Sequence, residues 1–193
     1  MTRISLEGFA GKFAADDDPW GTFSNRDEAV KRAAILHGLG PGPLGRVLEL
    51  GSGNGSNSRA MASRVRRLDA TEGTKQGTQL TARALVEWPR ARAIRLALPA
   101  PFPQKDYDAI VIAELLYYLS PAAMADVANR VAQALRPGGR LVLAHHRIDF
   151  YDFAQHAAGI QCRFLHLTGA HWQVRNVRRR RKWEVITAVR VVR

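Results

Sequence analysis

Three side chains that could take part in proton transfer follow two apolar runs of the sequence. Tyr118 comes shortly after Ala109–Ala113, and His145 and His146 directly follow Arg140–Ala144. An imidazole, with an ordinary pKa of about 6.5, can accept a proton from a nucleophile near neutral pH. We therefore expect these three residues to be the candidates for catalysis, with packing or surface roles as the alternative.

A glycine-rich segment predicts where a cofactor would bind. An apolar run ends in Glu49-Leu50 and is followed by Gly51-Ser52-Gly53-Asn54-Gly55 and then by a stretch that can form a helix. Strand, glycine turn and helix together hold nucleotide-like cofactors in doubly wound α/β folds. The G-x-G-x-G spacing matches neither the dinucleotide fingerprint nor the phosphate-binding loop. An acid before the turn suits S-adenosylmethionine (SAM), which is cationic and carries no phosphate, whereas a plain tight turn is the alternative.

A second acid stands at the end of the next predicted strand. Glu72 lies 17 residues after Gly55. In a doubly wound sheet this position is beside the first glycine turn, where a carboxylate can accept both hydroxyls of a ribose. The alternatives are that Glu72 only favours the start of the next helix through the helix dipole, or that Asp69 takes the ribose role.

The composition narrows the class of protein. The chain has 193 residues, 46% of them hydrophobic, and a single cysteine, so a disulfide framework and a cysteine-based metal cluster are excluded. It has neither a signal-peptide profile nor an apolar run near the roughly 20 residues of a membrane span. We expect one cytoplasmic domain over residues 1–193, with residues 1–45 as an N-terminal lid and helix. No metal site and no membrane contact are expected, and the oligomeric state is left open.

The net charge of +12 is concentrated near the end of the chain. Arg178–Arg181 and Lys182 stand between two alternating segments, Trp172–Val177 and Trp183–Val192. This pattern predicts an antiparallel hairpin with a hydrated basic turn, at the far edge of the sheet from the glycine turn. Nucleic acid is a second, less favoured partner for such a cluster.

Alternating strand and helix signals predict a Rossmann-like α/β fold. We expect a seven-stranded sheet, mostly parallel with an antiparallel C-terminal hairpin, covered by helices on both faces. The pattern leaves residues 1–24 irregular and predicts a late helix from Phe153 to about Thr168. The predicted strands span residues 47–50, 67–71, 93–96, 109–113, 140–144, 172–177 and 183–192.

With these elements in place, the sequence resembles the SAM-dependent methyltransferases of the seven-stranded class (class I). The matching segments are Glu49–Gly55, Glu72, Tyr107–Val111 and Leu135–Leu141. It is more closely similar to the nodulation protein S family, which N-methylates chitooligosaccharide signals. That resemblance depends on Asp18–Trp20, Ala113–Leu119 and His156–Gly159.

The resemblance implies a SAM-dependent N-methyltransferase that acts on a small-molecule or saccharide amine and releases S-adenosylhomocysteine (SAH). The residues expected to bind the cofactor are Trp20 as a lid, Glu49, Gly51, Ser52, Gly53, Gly55, Glu72, Ala113, Glu114 and Leu115. A small-molecule O-methyltransferase, an RNA-modifying methyltransferase and a cofactor-binding pseudo-enzyme remain as alternatives, since fold does not fix the substrate.

Two departures from the family pattern stand out. Leu96-Ala97-Leu98-Pro99 occupies the place where an acid usually meets the adenine amino group, so apolar contacts and backbone groups would hold adenine. The arginine run is more basic than its counterpart in the nodulation enzymes, which puts the oligosaccharide substrate in doubt.

Overall fold

Seven strands form one sheet in the computed structural model, which describes residues 4–191. They are β1 (Leu44–Leu50), β2 (Val65–Glu72), β3 (Ala91–Arg95), β4 (Tyr107–Ala113), β5 (Leu135–His146), β6 (Trp172–Arg179) and β7 (Trp183–Arg190), in the order β3-β2-β1-β4-β5-β7-β6. Neighbouring strands from β3 to β5 are parallel, and β7 runs antiparallel to both β5 and β6. The predicted fold class is confirmed.

Helices cover both faces of this sheet. The helices are α1 (Leu6–Ala15), α2 (Arg26–Leu39), α3 (Ser56–Ala62), α4 (Lys75–Ala84), α5 (Pro121–Ala134) and α6 (Ile160–Leu167), with a short 3₁₀ turn at Leu116–Tyr118. One apolar cluster joins α2 and α3 to the sheet, and a second joins α5 and α6 to the opposite face. The central strands are therefore buried on both sides, which explains their unbroken apolar runs.

The strand order reverses direction at β1, which lies between β2 and β4. In open α/β sheets, ligands bind outside the carboxyl ends of the strands at such a switch point. The glycine turn follows β1 directly, and Glu114 follows β4. The topology therefore brings the two segments together at one edge of the sheet.

Helix starts follow the expected capping chemistry. Asn25 accepts a hydrogen bond from the Asp27 amide at the start of α2. Ser120 accepts one from the Ala123 amide at the start of α5, where Pro121 takes the first helical position. These residue types are typical of such positions at helix starts.

Two predicted elements are wrong. Residues 6–15, predicted to be irregular, form α1, which Ser5 caps by accepting from the Gly8 amide at 3.1 Å. The late helix begins only at Ile160, because residues 147–159 form a loop in which Phe153 packs under Tyr117. Within residues 4–191, no helix has both the length and the apolar character that crossing a membrane requires.

The C-terminal hairpin is confirmed, and its turn lies at the carboxyl edge of the parallel strands. Trp183 at the start of β7 pairs with His146 at the end of β5. The turn between β6 and β7 therefore lies at the same end of the strands as the glycine turn. Across the sheet it lies on the outer side, two strands beyond β4, as predicted, but the two turns share one end of the strands. Val192 and Arg193 lie outside the described residues.

Candidate active site

The glycine turn has the backbone geometry that only glycine adopts at little cost. Gly51, Gly53 and Gly55 have φ values of +70°, +59° and +84°, in the left-handed region. Ser52 fixes the turn from below, because its amide donates to the Thr71 carbonyl at 2.8 Å and its hydroxyl lies 2.9 Å from that of Thr81.

The surroundings of the three glycines differ, and only Gly53 has room for a Cβ without a close contact. A Cβ on Gly53 would have Phe13 Cζ as its nearest neighbour, at 3.8 Å. A Cβ on Gly55 would lie 2.9 Å from Thr81 Cα in α4, and one on Gly51 would lie 3.2 Å from the Leu115 side chain. Gly53 is thus placed to let a ligand approach the backbone, whereas Gly55 lets α4 pack closely.

Glu72 ends β2 beside this turn. Its carboxylate accepts from the Gly53 amide at 3.2 Å, from the Thr74 amide at 2.9 Å and from the Thr74 hydroxyl at 3.0 Å. Burial raises the pKa of Glu72 despite these bonds. The carboxylate is therefore held in one orientation at the position predicted for a ribose.

Glu49 lies beneath the turn and away from its open face. It is only 1% exposed, and the Ser58 hydroxyl donates to its carboxylate. Burial raises its pKa to about 7, with a further contribution from the negative charge of Glu72. Glu49 therefore supports the turn from inside the fold.

Helix α1 covers the glycine turn with aromatic side chains. Phe13 is buried and faces Gly53, while Phe9 packs edge-on against Tyr118 at a ring distance of 4.9 Å. Trp20 lies behind them, 5.3 Å from the Phe13 ring and partly exposed. Trp20, the residue predicted to act as a lid, thus contacts the rings of α1, and Phe13 of α1 is the ring nearest to Gly53.

A cavity of about 380 Å³ lies between α1 and the ends of β2 and β3. Its lining combines apolar, neutral polar and charged side chains: Leu6, Glu7, Ala10, Gly73, Thr74, Lys75, Gln76, Arg95 and Ala97. Glu72, which binds the Gly53 amide, directly precedes two of the lining residues, Gly73 and Thr74. These features fit SAM, with the ribose at Glu72 and adenine in the cavity, although no acid follows β3.

A polar network ties the lid to the glycine turn. The side-chain nitrogen of Asn54, Nδ2, donates to Asp18 Oδ1 at 2.9 Å and to the Asp17 carbonyl at 3.2 Å. Asp18 also accepts from the Thr22 amide, the Thr22 hydroxyl and the Phe23 amide. Asp18 therefore organises the loop before α2, and its pKa is lowered by these bonds even though burial opposes that shift.

On the other side of the turn, Glu114 is the centre of a charged cluster. Its Oε1 lies 2.6 Å from Lys31 Nζ, and its Oε2 lies 2.7 Å from His146 Nδ1 and accepts from the Tyr117 hydroxyl. Burial alone would raise the pKa of Glu114, but the Lys31 ammonium and the His146 bond hold it at about 2. Glu114 is therefore ionised, with φ of +52° directing it into the cluster.

The two neighbouring histidines have different environments. His145 is 1% exposed, its Nε2 accepts from the Leu116 amide at 3.3 Å, and burial lowers its pKa to about 4. His146 is 22% exposed and its ring packs edge-on against Phe150. Because Glu114 is ionised and can only accept, Nδ1 of His146 carries a hydrogen, so in the neutral imidazole Nε2 is the nitrogen with the free lone pair.

Tyr118 is half-buried between Phe9 and Phe153. Burial, together with the negative charges of Asp152 and Glu114, raises the pKa of its phenol well above its ordinary value. Tyr118 therefore stays protonated, which suits a wall or a hydrogen-bond donor and does not suit a base.

Ala113 and Leu115 flank Glu114 at the end of β4, and the Leu115 side chain covers Gly51. Asp69, the competitor for the ribose role, instead lies in the sheet, where it binds Arg92 at 2.6 Å and the Tyr107 hydroxyl at 2.7 Å. Within residues 4–191, no group of three His, Cys, Asp or Glu side chains is arranged to hold a metal ion.

The sequence analysis missed Lys31, Phe9 and Phe13. Lys31 shares the buried face of α2 with Ala34, Ile35 and Gly38, and a lysine on an apolar stripe at that spacing signals a buried partner. Phe9 and Phe13 have the i, i+4 spacing of one helix face, but Gly8 and Gly11 obscured the helix.

A comparison with protein families agrees with this geometry. A family model described as "Methyltransferase domain" matches residues 47–139, from β1 to the beginning of β5. Residues 47–139 are therefore similar to that family. The matched segment includes the glycine turn, Glu72 and Glu114, so it carries the residues that surround the predicted cofactor site.

Relatives and solved structures extend the similarity beyond that domain. Nodulation protein S of Rhizobium tropici is 29% identical over 135 residues, which are 69% of this chain and 57% of the relative. The corresponding protein of Sinorhizobium fredii is 28% identical over 74% of this chain and 67% of its own length. This chain thus spans little more than half of the Rhizobium tropici relative.

One similar solved structure is the N-methyltransferase NodS of Bradyrhizobium japonicum WM9 in complex with SAH. It has a TM-score of 0.78 and 18% sequence identity, and the match covers 96% of this chain and 97% of that chain. A putative methyltransferase from Pseudomonas syringae gives 0.71 at 26% identity, covering 86% and 100%. The recognition of a SAM-dependent methyltransferase that resembles nodulation protein S is confirmed, and with it the predicted cofactor.

Proposed function

We propose that this protein transfers the methyl group of SAM to an amine of a small-molecule or saccharide acceptor, with His146 as the group that accepts the proton. The names of the relatives support the amine: the similar solved structure is called an N-methyltransferase, and the similar sequences are called nodulation protein S.

The observation that carries the proposal is the pairing of Glu114 with His146 at the ends of the adjacent strands β4 and β5. Glu114 Oε2 accepts from the His146 amide at 3.3 Å as well as lying 2.7 Å from Nδ1. Two contacts to one carboxylate oxygen fix the orientation of the imidazole. Within residues 4–191 no hydrogen-bond partner meets Nε2, so this nitrogen is left for the acceptor.

SAM supplies a methyl group on a positively charged sulfur, and loss of that methyl group yields SAH. An amine attacks only through its lone pair, so an ammonium must first lose a proton, and Nε2 of His146 is placed to take it. Glu114 stabilises the imidazolium that results, as a carboxylate does behind a catalytic histidine. Lys31 keeps Glu114 ionised throughout, because it stands 2.6 Å away and is itself almost fully buried.

The remaining work is positioning and exclusion of water. Methyl transfer needs little covalent help, so alignment of the nucleophile with the methyl group supplies much of the acceleration. Phe9, Phe13 and Tyr118 form an apolar wall above the turn, and such a lid excludes water from the reacting atoms.

The acceptor can be tested with pairs of compounds that differ only at nitrogen. Labelled methyl transfer from SAM is compared between a chitooligosaccharide bearing one free amine and the fully N-acetylated chain. We expect label only in the free amine, located on nitrogen by mass spectrometry. Label on a hydroxyl of either compound would replace the proposal with O-methylation.

The proton acceptor can be tested with His146→Gln. We expect kcat to fall by roughly 10²–10⁴-fold near neutral pH, with SAM affinity unchanged by calorimetry. The loss should shrink at high pH, where the amine is already neutral in solution. His166→Gln, on the exposed end of α6, is the matched control. A kcat within twofold of the parent for His146→Gln would remove His146 from the reaction.

A further inference from the structure

We propose that the basic turn, defined as Arg178–Arg181 and Lys182, binds an anionic group of the acceptor, so that the preferred acceptors are amines that also carry a phosphate, sulfate or carboxylate. This inference rests on the proposed function and adds the class of substrate to it.

The first support is the position of the basic turn. Trp183, the residue after it, pairs with His146 across β5 and β7. Paired residues in an antiparallel ladder lie roughly 5 Å apart, and each further residue adds about 3.8 Å. The backbone of the turn therefore begins within about 10 Å of His146, at the same edge as the methyl-transfer site.

The second support is that the turn is anchored to β5. The Arg147 amide donates to the Lys182 carbonyl at 2.7 Å, and Arg147 Nη1 donates to the Arg180 carbonyl at 3.2 Å. Arg147 directly follows His146 in the chain. The backbone that carries the cations is thus held at a fixed place relative to His146 and does not form a detached tip.

The third support is the excess of positive charge. Glu184 is the one acid that pairs with this cluster within residues 4–191, and it is shared at long range by Arg147 at 3.8 Å and Arg179 at 3.7 Å. Arg178, Arg180, Arg181 and Lys182 are exposed and have no ion pair in the described part of the chain. An oxyanion would receive charge-assisted hydrogen bonds from several guanidinium groups, which are stronger than bonds between neutral groups.

A small anionic acceptor fits this cluster better than a nucleic acid does. The cations are gathered at one hairpin turn, whereas single-stranded nucleic acid needs a charged groove that follows its backbone over several nucleotides. The backbone of the turn begins within about 10 Å of His146, and this distance is comparable to the screening length near physiological ionic strength. The turn can therefore orient one molecule that holds both an amine and an anion.

The test compares glucosamine with glucosamine 6-phosphate, which share one amine and differ in charge. We expect kcat/KM for the phosphorylated amine to be at least tenfold higher. Arg180→Ser with Arg181→Ser should reduce that preference to within about twofold, leaving SAM affinity and glucosamine turnover unchanged. In the parent protein, raising the salt concentration should reduce the preference in the same way.

The matched control is Arg66→Ser with Arg67→Ser. These two adjacent arginines are also exposed, and they lie near the start of β2, at the opposite edge of the sheet. The control removes the same charge and should keep the preference for the phosphate. Equal kcat/KM for both amines in the parent, or the same loss in the control, would overturn the proposal.

A binding measurement separates this inference from the proposed function. Inorganic phosphate titrated into the protein with SAH should bind at least tenfold more weakly to the Arg180/Arg181 variant than to the parent. If that difference holds while neither amine is methylated, the anion site stands and amine methylation fails. If an RNA oligonucleotide displaces phosphate and is itself methylated, the small-acceptor proposal is overturned.

Discussion

Asn54 of the glycine turn donates a hydrogen bond of 2.9 Å to the carboxylate of Asp18 in the lid segment. The Thr22 hydroxyl lies between the two side chains, 2.9 Å from Asn54 Oδ1 and 2.8 Å from Asp18 Oδ1, and the Thr22 backbone amide donates to Asp18. The segment that covers the turn is therefore bonded to the turn itself. Bonds of this kind, with one ionised partner, contribute about 1.5–3 kcal/mol each.

We predict that Asn54→Asp loosens the lid. The aspartate keeps the acceptor oxygen for Thr22 but loses the donor and places a second negative charge beside Asp18. Hydrogen exchange in α1 should become faster, and SAM should dissociate roughly tenfold faster, as a loss near 1.4 kcal/mol implies. Hydrogen-exchange mass spectrometry and stopped-flow binding measure the two effects.

Asn129→Asp adds the same charge on the exposed face of α5 and is the control. It should change neither α1 exchange nor the dissociation rate. If α1 exchange in Asn54→Asp matches that of the parent, the Asn54–Asp18 bond does not hold the lid.

The sequence was sufficient to predict the sheet but not the lid. Buried parallel strands are apolar runs that are separated by turns with glycine or proline, so the positions of the strands along the chain can be predicted from the sequence. Helix α1 contains Gly8 and Gly11, which have low helix propensity. Its packing on the glycine turn stabilises it, and that contact is between segments far apart in the chain.

The position of Glu72 beside the glycine turn could be predicted from the sequence better than the surroundings of Glu114 could. The positions of Glu72 and Gly53 are determined by the end of a strand and by the geometry of a turn, and both features can be recognised from a sequence motif. The partner of Glu114 was not predictable, because Lys31 is 83 residues away and reaches it only through the packing of α2. Which of His145 and His146 faces the core was equally undetermined, since it depends on the register of β5.

Glu72→Ala should weaken SAM binding by roughly tenfold to a hundredfold. The substitution removes a carboxylate that would accept from the ribose hydroxyls, a loss of about 1.5–3 kcal/mol. Calorimetry against the parent measures it, and Glu87→Ala, an exposed acid beyond α4, is the control. An unchanged affinity in a folded Glu72→Ala protein would show that Glu72 lies outside the site.

Gly53→Ala should abolish most SAM binding while the fold persists. The new Cβ would meet only Phe13 at 3.8 Å in the free protein but would fill the open face of the turn. Gly138→Ala is a close control, because Gly138 also has a left-handed φ, of +72°, and nothing within 4 Å. Both variants should lose about 1–2 kcal/mol of stability from backbone strain.

Only Gly53→Ala should lose affinity, by at least tenfold. Thermal unfolding and calorimetry on both variants separate strain from ligand contact. Equal affinities for SAM in the two variants would mean that Gly53 serves the turn alone.

The last prediction concerns the dependence of stability on pH, through Glu49. Its pKa is about 7 in the folded protein and near 4.5 when unfolded, so between these values the folded state holds a proton that the unfolded state has lost. The contribution of Glu49 to the free energy of unfolding is therefore fully present below about pH 4.5 and is lost as pH rises through 7. A shift of this size corresponds to roughly 3 kcal/mol.

His145 acts in the opposite direction over an overlapping range. Its pKa is lowered to about 4 by burial, so its contribution is present above about pH 6.5 and is lost as pH falls towards 4. The pH profile of the parent alone therefore mixes the two groups, and the informative quantity is the difference between the parent and Glu49→Gln. Glutamine cannot ionise and still offers an acceptor to the Ser58 hydroxyl.

In denaturant unfolding at a series of pH values, Glu49→Gln should gain stability relative to the parent as pH rises from 4.5 to 7.5. The gain should approach roughly 3 kcal/mol, because only the parent has to bury a carboxylate at the upper end. Glu87→Gln, which changes an exposed carboxyl, should show a constant difference across the range. A constant difference for Glu49→Gln as well would mean that Glu49 ionises in the folded protein as readily as in the unfolded chain.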